Sequence, residues 1–134
     1  MNLAIFDLDN TLLDGDSDYN WGLFLAREGF VDQKTHQAMN EKFYADYNAG
    51  KLDIYEFTEF QFQFFKNNPR RFLDELLARY IDEVAEVMIT KKARNLVADH
   101  RDNGDKLLII TATNSYITKP IGNLLGIDDL IGTD

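Results

Sequence analysis

Two apolar runs constrain what this chain can fold into more than any other feature. Leu3-Ala4-Ile5-Phe6 stands near its start, and Leu107-Leu108-Ile109-Ile110-Thr111 follows about a hundred residues later. Both are short, uninterrupted by charge and followed by polar turn-forming residues. That is the pattern of strands buried in a parallel sheet. The sequence between them reads as helices. Ser17 or Asp18 can cap a helix running to Arg27 and stopped by Gly29, with Trp21, Phe24 and Leu25 on one face. Further helices are expected over about 33–48, with Met39, Phe43 and Tyr47 in a stripe, and over 54–66, 71–87 and 92–100. After the second apolar run come a short helix over 118–125 and the start of a third strand at Leu130-Ile131-Gly132-Thr133. Strands alternating with helices imply an α/β fold with a parallel sheet. The helical block is too large for one crossover. It reads as an inserted helical cap, residues 15–88, interrupting a discontinuous core of 1–14 and 89–134.

The segment after the first run carries the chemistry: Asp7-Leu8-Asp9-Asn10-Thr11-Leu12-Leu13-Asp14-Gly15-Asp16. In extended chain Asp7 and Asp9 point to one side, ~6.5–7 Å apart, while Leu8 points into the core. They lie at the carboxyl end of a strand, where open α/β sheets bind ligands. Magnesium suits such a pair, since it accepts one or two carboxylates and keeps water and phosphate oxygens. One carboxylate can attack phosphorus, and the other can protonate a leaving alkoxide and then activate water. A hydroxyl at the end of a neighbouring strand, Thr111, can bind a phosphate oxygen, as can the backbone N–H groups after it at Ala112 to Asn114. The alternating Asp14, Asp16 and Asp18 suggest a calcium loop instead. That loop needs glycine sixth and glutamate twelfth, and counting from Asp14 or from Asp7 supplies neither.

Composition narrows the class. A chain of 134 residues with a net charge of −9 lacks the basic face that a general nucleic-acid binder needs. No cysteine is present, which removes disulfide scaffolds, thiolate zinc sites and cysteine nucleophiles. His36 and His100 read as helix-face residues rather than zinc ligands. No basic leader and no membrane-length apolar window are visible, so no membrane is expected as a partner and the cytoplasm is the expected compartment.

The segments FDLDNTLL (6–13) and LLIITATN (107–114) resemble the first and second motifs of the haloacid dehalogenase superfamily of phosphohydrolases. The longer pattern FDLDNTLLDGDSDYNWGLFL with TATNSYITKPI is similar to its phosphoserine-phosphatase-like branch, near bacterial members assigned to small phosphomonoesters, including histidinol phosphate. The resemblance implies a Rossmannoid three-layer α/β fold with an all-helical cap, and magnesium-dependent hydrolysis of a small phosphorylated metabolite through an aspartyl-phosphate. It implies Asp7 as nucleophile and metal ligand. Asp9 becomes the general acid/base, giving its backbone carbonyl to the metal. Thr11 shapes the loop, and Thr111 binds the phosphoryl group with Ala112 and Asn114 beside it. Asp16, Tyr19 and Trp21 are candidates to face the substrate from the cap side, though Tyr19, Trp21 and Phe24 read more readily as core of the cap.

Three departures accompany it. Asp16 stands where phosphoserine phosphatases place a glutamate that reads the substrate amine. No arginine lies within 51–65 to pair with a substrate carboxylate. Nothing after Thr113 supplies the family's third-motif lysine or fourth-motif acidic pair, so the C-terminal strands are expected to be missing and the isolated chain impaired. A bare edge on the first strand then invites a homodimer. Two other readings stay open: a phosphotransferase or mutase with the same nucleophile, and a non-catalytic module that associates through that edge.

Overall fold

The structure is a computed structural model describing residues 2–133. Strands β1 (Leu3–Phe6), β2 (Lys106–Asn114) and β3 (Asp129–Thr133) form one parallel sheet in the order β1-β2-β3. Ile5 pairs with Leu108 and Phe6 with Ile109, and Ile109 in turn pairs with Leu130. Between β1 and β2 come α1 (Ser17–Arg27), α2 (Gln33–Asn48), α3 (Ile54–Lys66) and α4 (Arg70–Tyr80). The last continues through a wide turn, Ile81–Ala85, into α5 (Glu86–Met88), and α6 (Lys91–Asp102) leads to β2. Helix α7 (Ser115–Leu124) joins β2 to β3. No helix among the described residues is long and apolar enough to cross a membrane.

Helices cover one face of the sheet. On α6 the His100 ring meets Phe6 edge-on, with centroids 5.6 Å apart. Gly122 of α7 comes so close to Ile109 and Leu130 that an added Cβ would touch both. The residues of the opposite face are open: Leu3 is 55 % exposed, Ile5 57 %, Ile110 43 % and Ile131 57 %. Of the three layers expected, the described residues supply two, the sheet and one layer of helices. Among the described residues β1 pairs only with β2.

The chain divides into two compact units. One consists of the chain up to Trp21 together with the chain from Ala78; the other is Gly22–Leu77. Within the first, an antiparallel bridge between Leu13 and Ile89 ties the two ends of the helical block together. Asp14 N donates to Met88 O across it at 2.8 Å.

The Gly22–Leu77 unit is built on phenylalanine. Phe43 is buried against Phe57 and Phe60, with centroids 5.2 and 5.3 Å away. Of the stripe on α2, Phe43 is buried and Met39 half-buried, but Tyr47 in the last turn is exposed. His36 tilts onto Phe60 and lies 3.1 Å from Asn40 Nδ2 through its Nδ1. Its ring packs on the backbone of α1 at Gly22, where any Cβ would collide with it. Burial lowers the pKa of His36 from its ordinary 6.5. The unfolded chain therefore binds a proton near pH 6.5 that the folded chain binds only at lower pH. Stability is fully present above pH 6.5 and falls as the pH drops below it. Urea midpoints measured on either side of that value are expected to decline on the acid side, and the decline is expected to be smaller in His36→Gln.

Candidate active site

The loop after β1 is held from below by leucines. Leu8, Leu12 and Leu13 are buried, and Leu13 N donates to Leu8 O at 3.0 Å. The chain reverses at Asn10, whose φ of 59° lies in the left-handed region that asparagine tolerates better than most residues. Asn10 N then donates to Gly15 O at 2.9 Å. β1 ends at Phe6, and Asp7 (φ −81°, ψ 150°) and Asp9 (φ −67°, ψ 132°) follow with extended backbone angles, just beyond the strand rather than within it. The two carboxylates have different surroundings.

Asp7 is exposed. Its Oδ1 accepts from Leu8 N at 3.0 Å and its Oδ2 from Thr11 Oγ1 at 3.2 Å. Asp9 is half-buried and held from two segments, the start of α1 and β2. Ser17 N donates to Oδ1 at 2.7 Å, Thr113 Oγ1 to Oδ2 at 2.6 Å, and Thr111 Oγ1 stands 3.5 Å from the same oxygen. Ser17 is the first residue of α1, so the helix directs an unpaired N-terminal N–H at the carboxylate. Below it, Tyr80 donates from its hydroxyl to Ser17 O at 2.7 Å and meets Trp21 edge-on. Burial pushes the Tyr80 phenol upward, and the charges of Asp9, Asp18 and Asp16 add to the rise, so it remains a protonated donor.

The structure places Thr11 against Asp7 and Thr111 beside Asp9, and gives other sequence-derived candidates different work. Strand β2 extends three residues beyond its expected end, and α7 begins three residues earlier than expected. Asn114 is consequently buried as the cap of α7, its Oδ1 accepting from Ile117 N at 3.0 Å. That oxygen is committed to the helix rather than offered to a phosphate. Ala112 is exposed, and its carbonyl accepts from Thr133 Oγ1 at 2.7 Å. Asp16, rather than Ser17 or Asp18, caps α1: its Oδ1 accepts from Tyr19 N at 2.9 Å. Tyr19 is exposed, whereas Trp21 is buried against Tyr80 and packs as core. Thr113, Ser17 N and Tyr80 were not singled out from sequence. The two-residue spacing of Thr111 and Thr113 on one strand face was the available signal for Thr113.

Among the described residues no three His, Cys, Asp or Glu side chains converge as a metal cluster. The donors that the loop offers are oxygens, the exposed Asp7 carboxylate and main-chain carbonyls. They fit a hard cation such as magnesium, which binds few protein groups and keeps its waters.

The model of the haloacid dehalogenase-like hydrolase family matches residues 4–134. A histidinol-phosphatase of Neisseria meningitidis serogroup C (strain 8013) is 42 % identical over 132 residues, which is 98 % of this chain and 60 % of that protein. The chain thus spans less than two thirds of the length of this relative. A crystal structure of a protein of unknown function from Bordetella pertussis Tohama I superposes with a TM-score of 0.91 at 36 % identity, over 99 % of this chain and 60 % of that one. A phosphoserine phosphohydrolase-like protein from Francisella tularensis subsp. tularensis SCHU S4 shares the fold, with a TM-score of 0.67 at 17 % identity over 98 % of this chain and 58 % of its own.

The role of Tyr80 as a prop can be checked directly. Tyr80→Phe keeps the ring and deprives the Ser17 carbonyl of its buried hydroxyl donor, so urea unfolding is expected to show a loss of about 1–2 kcal/mol.

Proposed function

Because this chain belongs to the haloacid dehalogenase-like hydrolase family, we propose that its protein hydrolyses a small phosphate monoester with Asp7 as nucleophile and Asp9 as general acid and base. The observation that carries this reading is the division of labour between two neighbouring carboxylates. Asp7 is exposed at the carboxyl end of the sheet, while Asp9 is half-buried and held by donors from α1 and β2.

An Asp7 carboxylate oxygen attacks phosphorus in line with the ester oxygen. The P–O bond to the alkoxide breaks as the bond to Asp7 forms, and Asp9 gives the alkoxide its proton. The alcohol leaves. Asp9, now ionised, takes a proton from water, the resulting hydroxide attacks phosphorus, and inorganic phosphate departs with Asp7 restored. Thr111 and the main-chain N–H at Ala112 are the groups to donate to the phosphoryl oxygens. The Asp7 carboxylate and the Asp9 main-chain carbonyl would hold magnesium. When bound, that ion neutralises charge on the phosphoryl oxygens.

Two features favour a substrate other than phosphoserine. Asp16 is engaged in capping α1, and no arginine lies within 51–65 to receive a carboxylate. The relative with 42 % identity is named for histidinol phosphate, which makes that ester the first substrate to test.

Phosphate release from p-nitrophenyl phosphate and from histidinol phosphate tests the reading. Chelation of divalent ions is expected to stop turnover and added magnesium to restore it. Asp7→Asn is expected to lower kcat by at least about 10³-fold. Turnover that survives Asp7→Asn contradicts the assignment of the nucleophile.

A further inference from the structure

We propose that Thr113 is the positioning residue for Asp9, and that its hydroxyl leaves the proton of Thr111 free for the phosphoryl group. The inference rests on the reading of Asp9 as the proton-transfer group.

Two threonine hydroxyls face one carboxylate oxygen. Thr113 Oγ1 lies 2.6 Å from Asp9 Oδ2, within the range of a charge-assisted O–H···O⁻ bond. Thr111 Oγ1 lies 3.5 Å from the same oxygen, beyond the distance at which a hydroxyl bonds well. A hydroxyl has one proton to give. That of Thr113 is committed to Asp9. Thr111 accepts from Thr113 N at 3.1 Å, which fixes its oxygen while leaving its proton able to turn toward another acceptor.

Backbone geometry explains the division. Residues 111 and 113 share a face of β2, so both hydroxyls reach the same side of the sheet. The β2–β3 register shifts between Ile110 and Asn114, and such irregularities re-aim side chains at the rim of a sheet. The other carboxylate oxygen of Asp9 is held by Ser17 N at 2.7 Å. Asp9 is therefore gripped at both oxygens, by a donor from the start of α1 and one from β2, and proton transfer requires that one carboxylate orientation be kept through both halves of the reaction.

The test compares Thr113→Val, Thr113→Ser and Thr111→Val. Valine keeps the shape of threonine without its hydroxyl, and serine keeps the hydroxyl. Backbone amide exchange at Ser17 reports the hold on Asp9 without any turnover, and exchange at Ile109 in the sheet core reports global stability. In Thr113→Val the carboxylate is expected to turn, so that Ser17 exchanges about 10-fold faster while Ile109 is unchanged. In Thr113→Ser both are expected to match the parent chain. With p-nitrophenyl phosphate, Thr113→Val is expected to lower kcat by about 10–100-fold with little change in KM, and serine to restore it. Thr111→Val is expected to act mainly through weaker binding of inorganic phosphate.

An unchanged Ser17 amide in Thr113→Val overturns the proposal. So does acceleration of Ile109 in step with Ser17, which would make Thr113 a residue of general stability. An Asp9→Asn variant with full turnover would instead remove the reading on which the inference rests, and the Ser17 exchange would still decide whether Thr113 holds Asp9.

Discussion

Four pairs of residues in parallel register, Leu3 to Phe6 against Lys106 to Ile109, are the contact on which the site depends. They put the loop at 7–13 beside the far end of β2, so that Asp9 meets a hydroxyl 104 positions along the chain. Closing so long a loop costs little more than closing a shorter one, because the entropy grows only with the logarithm of length, about 0.6 kcal/mol per doubling. A helical block can therefore sit between the two strands. The bridge between Leu13 and Ile89 narrows the gap further by tying the ends of that block together beside the site.

From that pairing follows an arrangement of charge. The two aspartates differ less in sequence than in what surrounds them. Asp7 is answered by its own loop, through Leu8 N and Thr11, and remains open to solvent. Asp9 is answered by distant segments, and the segment that starts α1 is itself propped by a buried tyrosine hydroxyl on Ser17 O. The same sheet leaves one apolar face and the β1 edge exposed, a surface that soluble proteins ordinarily cover or blunt with charge.

Much of this was legible in the sequence. The unbroken apolar runs marked β1 and β2, Gly29 marked the end of α1, and Leu8 between two aspartates marked the residue that enters the core. What escaped detection was decided by hydrogen bonds. Asp16, Ser17 and Asp18 are adjacent and all can cap a helix, so only geometry selects Asp16. Asn114 looked like a ligand of phosphate because it follows a strand, yet it starts α7. Thr111 and Thr113 lie on one face by periodicity, and periodicity does not say which hydroxyl is 2.6 Å from Asp9 and which is 3.5 Å. Tyr47 keeps the four-residue spacing of Phe43 but lies in the last turn of α2, exposed.

The central claim is that phosphorus passes through Asp7. Acid quenching during turnover of p-nitrophenyl phosphate, followed by pepsin digestion in acid and mass spectrometry of the peptide that contains Asp7, tests it most directly. The account predicts one phosphoryl group on that peptide, located at Asp7 by fragmentation and lost in neutral water. Steady turnover with no phosphoryl group on the peptide, or with the group on another residue, would contradict it.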